Sequence, residues 1–340
     1  MENAKINRVA IIGGLGYIGS HTVRCLLEHN VPIVVFDNLS AGYDRAIPPH
    51  VDLFEGDIRN PTDIDAFFSK FDDVTSVIHF AAKIEVGESM KDPAIFYRNN
   101  VIGTINLLDG MRKAGVNHIV FSSTAAVFGE PEVVPISISA SKQPINPYGR
   151  TKNMVEEILS DYSMAYGLNF AALRYFNACG AHPSGEIGES HSPESHLIPL
   201  VLQVPLGQRE KIFIFGDDYD TEDGTCVRDY IHVCDLAEIH YLALQRIFEP
   251  QHNKLLLNLG YGHGYSVKEV IETAREVTGH AIPAQIADRR PGDPAVLIAN
   301  GEGLREFGYV PQYDDLKQII SHAWKWHSNN PNGFREDLLE

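Results

Sequence analysis

Cysteine is scarce in this chain of 340 residues, and the four that occur (Cys25, Cys179, Cys226 and Cys234) are scattered. The chain has no Cys-x-x-Cys pair and no histidine at the spacing of metal ligands, so we expect no metal site. Scattered cysteines are most simply core filler in a reduced compartment. We therefore expect a cytoplasmic protein.

Long apolar runs and an excess of positive charge are also missing. No run of about 18 apolar residues exists that could span a bilayer. The chain has 28 lysines and arginines against 45 aspartates and glutamates, which gives a formal net charge of −17. Nucleic acids and anionic membranes bind basic surfaces, so we expect neither as a partner. An anionic small molecule stays allowed, because a few arginines and backbone N–H groups can hold a phosphate in one pocket.

The first half of the sequence alternates apolar strands with amphipathic helical stretches. The strands are RVAIIGG, VPIVVFDN, TSVIHFAA and NHIVFSST, and a helix over about Tyr148 to Tyr166 leads to a further strand, FAALRYFN. Continuous apolar strands between helices predict a parallel sheet that is buried on both faces. The fold class is therefore α/β, with a Rossmann-type doubly wound parallel sheet.

From about Gly180 the composition changes. The segment AHPSGEIGESHSPESH is rich in glycine, proline, serine and histidine, which predicts a long loop. Shorter elements follow, such as SVKEVIETAREVTG, which has serine at a helix start and glycine after the helix end. We predict a sheet domain over residues 1–180, to which the strand and helix near 229–260 can return, and a smaller mixed α/β domain over residues 181–340.

A glycine-rich turn follows the first strand. In IIGGLGYIGSH, Gly13, Gly16 and Gly19 stand at GxxGxxG spacing between an apolar strand and a helix. Such a turn lets a pyrophosphate approach the backbone and directs a helix N-terminus at its charge. The glycines alone are a weak signal, but the next strand, VPIVVFDN, ends in Asp37 about 20 residues on. A carboxylate there accepts a hydrogen bond from a ribose hydroxyl, so we predict a dinucleotide site.

Asp37 also predicts which of the two nicotinamide dinucleotides, NAD or NADP, the site binds. Its charge would repel a 2′-phosphate and no arginine stands beside it, so the sequence predicts NAD rather than NADP. A third strand ends in EGDI, which places Asp57 and Ile58 where the adenine ring would lie. The alternative interpretation is a plain glycine turn followed by a surface aspartate.

The segment NPYGRTK has Tyr148 four residues before Lys152, so both side chains share one helix face. The strand end FSSTAAVFG precedes it, and doubly wound sheets bind ligands at the carboxyl ends of their strands. Thr124, Tyr148 and Lys152 are therefore predicted to converge beside a nicotinamide. A cation about 4 Å from the phenol contributes on the order of 4 kcal/mol, which would bring the tyrosine pKa from about 10 to about 7. Lys152 and the nicotinamide ring are two such cations. The alternative interpretation is that Tyr148 and Lys152 share a helix surface by chance.

Several motifs together resemble those of the extended short-chain dehydrogenases/reductases, namely GGLGYIGS, FDN, EGDI, HFAA, SST, PYGRTK and RYFNACGAHPSG. More narrowly, RYFNACGAHPSG, TEDGTCVRDYIHV, NLG and RRPGD are similar to motifs of the UDP-glucose 4-epimerase family. The resemblance runs from about Val9 to the Trp324–Trp326 region. The later motifs are far more specific than the glycine turn and the tyrosine–lysine pair, which the whole superfamily shares.

This resemblance implies a redox-neutral inversion that interconverts UDP-galactose and UDP-glucose. Tyr148 would remove the proton of the sugar 4-hydroxyl while C4 gives hydride to tightly held NAD, and the 4-keto sugar would turn and take hydride back on its other face. Lys152 would lower the pKa of Tyr148 and hold the nicotinamide ribose, and Thr124 would hydrogen-bond the 4-oxygen. The resemblance also implies a homodimer built from two helices of each subunit, here about Pro93–Ala114 and Tyr148–Tyr166. Residues such as Ile102, Ile105 and Met154 on those helices could face a partner or the sheet.

Two sets of binding residues are carried over by motif. The cofactor set is Gly13, Gly16, Tyr17, Ile18, Gly19, Asp37, Asn38, Asp57, Ile58, Phe80, Ala81, Ala82, Lys83, Asn99, Tyr148, Lys152 and Phe176. The substrate set is Thr124, Tyr148, Asn177, His196, Leu197, Phe213, Phe215, Arg228, Arg290, Asp293 and Leu297. Two choices stay open, because Asn100 lies beside Asn99 and Arg289 beside Arg290.

The chain departs from the family at three of these positions. Several members have a lysine one place after Lys83, where this chain has Ile84, so that NAD contact stays open. Ser195 and His196 stand where the family often has two asparagines, so His196 either substitutes as a donor to the uridine diphosphate or the contact is lost. Leu297 is intermediate between the tyrosine of enzymes restricted to the plain hexose and a smaller residue that admits an N-acetyl group. UDP-N-acetylhexosamines are therefore further candidate substrates.

Other functions on the same fold fit less well. Sugar-nucleotide 4,6-dehydratases need an acidic pair after the active-site threonine, where this chain has Ala125 and Ala126, and the glutamate of nucleotide-sugar decarboxylases is also missing. Non-catalytic NAD-sensing proteins commonly lose the tyrosine or the lysine, and both are present here. Asp37 argues against an NADPH-dependent reductase.

Overall fold

The computed structural model describes residues 6–290 and 293–335. Pro291 and Gly292, in the middle of the RRPGD motif, therefore lie outside the described residues. The chain divides into two compact units. Unit 1 contains residues 6–129, 140–175 and 237–257, and unit 2 contains residues 130–139, 176–236, 258–290 and 293–335.

Strands and helices alternate through most of the described chain. The strands are β1 Arg8–Ile12, β2 Ile33–Asp37, β3 Asp52–Glu55, β4 Val74–His79, β5 His118–Thr124, β6 Asn169–Tyr175, β7 Asn177–Cys179, β8 Ile212–Phe215, β9 Val227–Arg228, β10 Tyr230–His232, β11 Lys254–Leu259, β12 Tyr265–Ser266, β13 Ala284–Ala287 and β14 Val296–Leu297. The helices are α1 Tyr17–Glu28, α2 Pro61–Lys70, α3 Val86–Lys91, α4 Pro93–Phe96, α5 Gly103–Ala114, α6 Pro147–Tyr166, α7 Leu197–Leu202, α8 Val233–Ile247, α9 Val267–Thr278, α10 Glu302–Phe307 and α11 Leu316–Asn329. None of the described helices is both long and apolar enough to cross a membrane.

Unit 1 is built on a seven-stranded sheet with the strand order β11-β6-β5-β4-β1-β2-β3. Strands β1 to β6 pair in parallel, and β1 lies between β2 and β4. The predicted doubly wound α/β sheet is therefore confirmed. Because the strand order reverses between β1 and β4, the carboxyl ends of these two strands form the switch point at which such folds bind ligands.

The core of unit 1 explains why the strands are almost wholly apolar. Strands β2 and β5 are buried along their full length, with helices supplying apolar side chains. Phe36 of β2 packs against Phe67 of α2 with ring centroids 5.3 Å apart, and Phe54 of β3 lies 5.5 Å from Phe67. A parallel sheet covered on both faces needs this continuous apolar pattern rather than alternation.

The segment predicted as one helix over Pro93–Ala114 is interrupted. Helix α4 is followed by a π-helical segment, Tyr97–Ile102, before α5 begins. A π-helical turn holds one more residue per turn than an α-helix, and such turns often mark functional sites. Here the wider turn buries two consecutive side chains, Asn99 and Asn100.

Unit 2 contains small sheets of short strands: β7 with β10, β8 with β13, and β9 between β12 and β14. The predicted helix after Ser266 is α9, whose capping box pairs the Ser266 hydroxyl with the Glu269 amide and the Glu269 carboxylate with the Ser266 amide. Helices α7, α9 and α11 bury apolar faces in one core. The segment predicted as a long loop contains no helix or named strand between Gly180 and His196. The strand near 230 pairs with β7 in unit 2, whereas α8 runs from unit 2 into unit 1.

Candidate functional site

The glycine turn between β1 and α1 leaves no room for side chains. Gly13 has a φ of +82°, and a Cβ built on it would lie 2.6 Å from the Ala81 amide nitrogen. A Cβ on Gly19 would overlap the Gly13 carbonyl oxygen. Gly16 is the N-cap of α1, and Tyr17 and Ile18 are the first two helical residues. The turn therefore brings bare backbone and a helix N-terminus together, as a pyrophosphate requires.

Asp37 at the end of β2 is tied to the glycine turn. One carboxylate oxygen accepts from the Leu15 amide at 3.1 Å, and the other accepts from the Leu39 amide at 2.9 Å. Burial raises the pKa of Asp37, while these amide hydrogen bonds oppose the shift. The carboxylate is thus fixed in position beside the turn, where it can accept a ribose hydroxyl.

Asn38 and Asp57 meet at the ends of β2 and β3. The Asn38 amide donates to an Asp57 oxygen at 3.1 Å. Hydrogen bonds from Arg59 lower the pKa of Asp57 to about 2, so Asp57 is a carboxylate at neutral pH. The side chain of Ile58 is buried and packs against Gly103 of α5. The backbone of Ile58, rather than its side chain, is therefore the part that can contact an adenine.

The residues after β4 are fixed by their backbone. The amides of Phe80 and Ala81 both donate to the Ile12 carbonyl, at 2.8 and 3.0 Å, and Ala82 and Lys83 follow. The Asn100 side chain accepts from the Lys83 amide at 2.8 Å and donates to the Lys83 carbonyl at 2.9 Å. Asn100 thus has a structural task. Its neighbour Asn99 is the better candidate for a nicotinamide-side contact.

Tyr148 and Thr124 form a buried hydroxyl pair. Tyr148 is the second residue of α6, whose N-cap Asn146 accepts from the Gly149 amide at 2.8 Å. Thr124 ends β5, and its hydroxyl oxygen accepts from the Ala126 amide at 3.1 Å. Burial raises the pKa of Tyr148, and the hydrogen bond with Thr124 opposes that shift. Since the Thr124 oxygen already accepts a hydrogen bond, its proton can be directed at the phenol.

Lys152 lies one helical turn after Tyr148 and is also buried. Its Nζ donates to the Ser122 carbonyl at 2.8 Å and lies 4.8 Å from the centroid of the Phe121 ring. Burial lowers the pKa of Lys152 to about 7, and the charge of Glu156 opposes that shift. The pKa of Lys152 therefore lies near neutral pH, where a general acid or base is most effective.

Sequence reasoning missed Glu156, one helical turn after Lys152. Its buried carboxylate accepts from the Ser123 hydroxyl at 2.7 Å and from two Arg174 nitrogens at 2.9 and 2.7 Å. This paired arrangement locks α6 against β5 and β6, so it positions Tyr148 and Lys152. The signal was present as a third member of the same helix face, at Tyr-x-x-x-Lys-x-x-x-Glu spacing.

The candidate substrate residues of unit 2 include a second charged pair. An Arg228 nitrogen on β9 donates to the Asp293 carboxylate. Leu297 on β14 lies opposite Arg228 in parallel register, so these residues share one small sheet. Asp229 accepts from the amides of Tyr261, Gly262 and Ala299, which fixes the backbone beside Arg228.

Two aromatic rings and two arginines stand beside each other in unit 2. Phe213 and Phe215 lie on one face of β8 with ring centroids 6.5 Å apart. Arg290 lies over the Phe215 ring at 4.0 Å. Arg289 instead donates to Asp218 at 2.6 Å and lies over the Tyr219 ring. Of the two neighbours, Arg290 is therefore the one that accompanies the predicted substrate residues.

The remaining predicted residues occupy strand and helix ends. The Phe176 amide donates to the Leu259 carbonyl at 3.2 Å, and Asn177 begins β7. His196 is the N-cap of α7, and Leu197 is its first residue. The His196 Nδ1 faces carboxylates of Glu189 and Glu194 at 2.8 and 3.0 Å. Burial opposes protonation, but these carboxylates raise the pKa of His196 above its ordinary value.

The sequence matches a known family over most of its length. Residues 9–260 match the family described as the NAD dependent epimerase/dehydratase family. A UDP-glucose 4-epimerase of Halalkalibacterium halodurans is 53% identical over 327 residues, which cover 96% of this chain and 97% of that protein.

Solved structures agree with this match. A crystal structure of a UDP-glucose 4-epimerase superposes with a TM-score of 0.94 at 47% identity, over 97% of this chain and 100% of that one. The UDP-glucose 4-epimerase of Bifidobacterium longum, solved in complex with NAD+ and UDP, gives a TM-score of 0.90 at 37% identity, over 96% of this chain and 99% of that one.

Proposed function

Because the chain belongs to the NAD dependent epimerase/dehydratase family, we propose that it interconverts UDP-glucose and UDP-galactose by transient oxidation at sugar C4, with NAD as cofactor. The observation that carries this proposal is the buried group of Thr124, Tyr148 and Lys152 at the carboxyl end of β5. It supplies a proton acceptor, a hydroxyl donor and a cation at the edge of the sheet where this fold binds nucleotides.

The residues of unit 1 fit NAD. The glycine turn offers backbone at Gly13 and the N-terminus of α1 for the pyrophosphate, and Asp37 offers a fixed carboxylate for a ribose. Asn38, Asp57 and the Ile58 backbone border the adenine side. When bound, NAD would supply the hydride acceptor that the proposed oxidation at sugar C4 requires.

Tyr148 is the proposed proton acceptor for the sugar 4-hydroxyl. Burial alone raises its pKa, the opposite of what a base needs. The Thr124 hydroxyl, which can donate to the phenolate, acts against burial. We propose that the Lys152 ammonium on the same helix face adds to this effect when substrate is bound. Burial thus opposes the low Tyr148 pKa that the sequence predicts, and lowering the pKa of this phenol also requires the positive charge of an oxidised nicotinamide.

Lys152 holds its place through one of its three N–H donors, which the Ser122 carbonyl accepts. Two donors remain for a ribose hydroxyl and for the phenolate. Because Glu156 favours the charged form of Lys152, the Arg174–Glu156 pair also acts on the proton balance of the site. We therefore treat Glu156 as a positioning residue rather than a catalytic one.

Unit 2 supplies the proposed contacts to the UDP-sugar. Arg228 and Arg290 match the geometry of a diphosphate, and Phe215 supports Arg290 from behind. Asp293 holds Arg228 in position. Asn177, His196, Leu197, Phe213 and Leu297 complete the proposed set, and Leu297 extends the substrate range to UDP-N-acetylhexosamines.

Loss of water from the sugar, the reaction of the related dehydratases, is not supported by this site. That reaction needs an acid and a base after the active-site threonine. The two residues there, Ala125 and Ala126, begin a 3₁₀ turn and have no proton to transfer. Epimerisation needs only the acid–base group already described.

We propose a homodimer that uses two helical stretches of each subunit: residues 93–114, which contain α4, the π-helical segment and α5, and helix α6. The side chains of Ile102 and Met154 are 50% and 40% exposed, and Ile95 is exposed as well. These residues face away from the sheet, as a self-complementary apolar surface requires. Light scattering of wild type and Ile102→Glu checks this, with a dimer expected for the first and a monomer for the second.

We propose a cytoplasmic location as well. Cys25, Cys179 and Cys226 are buried thiols within their units, in keeping with a reducing compartment. Neither of the two proposed ligands is a membrane component.

The experiment that tests the function uses purified protein and UDP-galactose with no NAD added. Chromatography is expected to show conversion to an equilibrium mixture with UDP-glucose and no net release of NADH. Activity that appears only after NAD is added would show that the cofactor is loosely held. No conversion in either case would contradict the proposed function.

A further inference from the structure

Four potential metal ligands converge in the loop that precedes α7. Glu189, His191, Glu194 and His196 follow one another at Glu-x-His-x-x-Glu-x-His spacing, which the sequence-based expectation of no metal site overlooked. One ligand atom from each of the four lies within 4.8 Å of all the others. We call these residues the Glu/His cluster. All four belong to unit 2, so the cluster forms within one compact unit.

The individual distances describe a small polyhedron of donors. His196 Nδ1 lies 2.8 Å from a Glu189 oxygen and 3.0 Å from a Glu194 oxygen. His191 Nδ1 lies 3.0 Å from the same Glu189 oxygen and 3.7 Å from the other Glu194 oxygen. Ligands about 2.0–2.2 Å from a tetrahedral zinc ion are themselves about 3.3–3.6 Å apart. Shifts of a few tenths of an ångström would therefore suffice to place an ion among these donors.

Burial sets the cluster apart from ordinary surface acids. The Glu189 and Glu194 side chains are only 3% and 7% exposed. Two carboxylates removed from water need compensating positive charge, or the loop that carries them is destabilised. In the structure the two histidines face these carboxylates, and a divalent cation would supply the same positive charge at a single point, with both imidazoles as neutral ligands.

The loop that carries the cluster is anchored. The Trp326 indole nitrogen donates to the Glu189 carbonyl at 2.9 Å, and a Cβ on Gly188 would overlap the same indole. Near the end of the described chain, the Phe334 amide donates to the Ser190 hydroxyl at 3.2 Å, and Arg335 donates to the His191 carbonyl at 2.8 Å. The half of the cluster that carries Glu189 and His191 is therefore held in place by packing from another element, as metal ligands require.

We propose that the Glu/His cluster binds one transition-metal ion of the zinc class. Two imidazole nitrogens and two carboxylate oxygens suit zinc and cobalt, whereas magnesium and calcium prefer oxygen ligands alone. The ion would bind His196 directly and would fix the backbone that leads from it into Leu197. Those two residues belong to the proposed substrate set, so this last step rests on the proposed function, but the binding of the ion does not.

Cobalt binding tests the proposal because Co²⁺ in a tetrahedral site absorbs visible light strongly. Full-length protein without a histidine tag is treated with chelator and titrated with Co²⁺ and then with Zn²⁺. We expect one Co²⁺ per chain with tetrahedral d–d bands, and displacement by one Zn²⁺. His191→Gln and Glu189→Gln are each expected to weaken binding at least tenfold, while retained NAD and circular dichroism show that the variants fold.

A second cluster in unit 1 provides the matched control. Cys25, His29 and Glu238 also place their ligand atoms within 4.8 Å of one another. His29→Gln is expected to leave Co²⁺ affinity and spectrum unchanged. Three results would overturn the proposal. The first is the absence of stoichiometric Co²⁺ binding, and the second is binding that His191→Gln and Glu189→Gln leave intact. The third is a thiolate charge-transfer band that disappears in His29→Gln. In the first of these cases, the four side chains serve only as ion pairs with one another.

Discussion

The Nζ of Lys152 on α6 donates to the carbonyl of Ser122 on β5 over 2.8 Å. The bond holds the helix face that carries Tyr148 against the end of the strand that carries Thr124. It also holds a charged group where little water reaches, and burial lowers the pKa of Lys152 to about 7. The same position that orients the lysine thus makes its charge sensitive to pH.

Lys152→Met is expected to remove a pH dependence of stability. The pKa of Lys152 is about 7 in the folded chain and about 10.4 in an unfolded one. Between these values the unfolded state binds more protons, so the contribution of Lys152 to stability rises with pH and is lost as pH falls to 7. In thermal unfolding of NAD-depleted protein, the melting temperature of the wild type should rise by several degrees relative to that of Lys152→Met between pH 7 and pH 9.5.

The control for this measurement is Lys113→Met, which removes an exposed lysine that pairs with Asp65. It reports the general effect of removing one lysine charge from the chain. A wild-type melting temperature that stays constant or falls relative to Lys152→Met over the same pH range would contradict the buried titration.

Tyr148→Phe is expected to lower kcat by about 10²–10⁴-fold, the range in which positioned acid–base groups contribute. Its ring still fills the buried site, so NAD content and melting temperature should change little. Tyr175→Phe is the matched control, because Tyr175 is a second, half-buried tyrosine, whose hydroxyl oxygen accepts from Ser122 at 3.0 Å. The measurements are turnover of UDP-galactose and bound NAD after denaturation. Equal losses in the two variants would argue against proton transfer by Tyr148.

The sheet could be predicted because its signals are local. Strand β2 is apolar from Ile33 to Phe36 and ends in Asp37, so strand, turn and acid are all visible in one short stretch. The π-helical segment at Tyr97–Ile102 was missed, because the helix propensities on either side give no sign of an extra residue per turn.

The candidate site could be predicted only where residue type carries the chemistry. Motifs single out Tyr148, Lys152 and Asp37. The partner of Lys152 is a backbone carbonyl, which every residue possesses, so nothing in the sequence marks Ser122. The partners of His196 could not be predicted for a similar reason, because Glu189 and Glu194 reach its ring only through the fold of the loop.

Gly13→Ala is expected to lower NAD affinity at least tenfold, and Gly115→Ala to leave it unchanged. Both glycines have left-handed backbone, with φ of +82° and +75°, and this φ alone costs each alanine variant about 1–2 kcal/mol of stability. Only at Gly13 does that Cβ meet another part of the chain, the backbone of Ala81, whereas nothing lies within 4 Å at Gly115. NAD titration and thermal unfolding separate the two effects. Equal NAD affinity in both variants would contradict the role of the turn.

Leu297→Tyr is expected to narrow the substrate range. Leu297 lies in register with Arg228 on the small sheet of unit 2, so its backbone position is fixed and its side-chain size sets the available space. A steric cost of about 1–3 kcal/mol would lower kcat/KM for UDP-N-acetylglucosamine by roughly 10–200-fold. For UDP-glucose, which lacks the N-acetyl group, kcat/KM should fall no more than a few-fold.

Leu297→Met is the control for this change, because it conserves side-chain volume and should keep the wild-type ratio of the two kcat/KM values. For each variant, the kcat/KM values for UDP-glucose and UDP-N-acetylglucosamine are measured on the same enzyme preparation with a chromatographic assay of the UDP-sugars. If the wild type does not turn over the N-acetylated sugar, or if Leu297→Tyr lowers both activities equally, Leu297 does not determine the substrate range. A selective loss in Leu297→Tyr alone would place the hexose C2 substituent beside this residue.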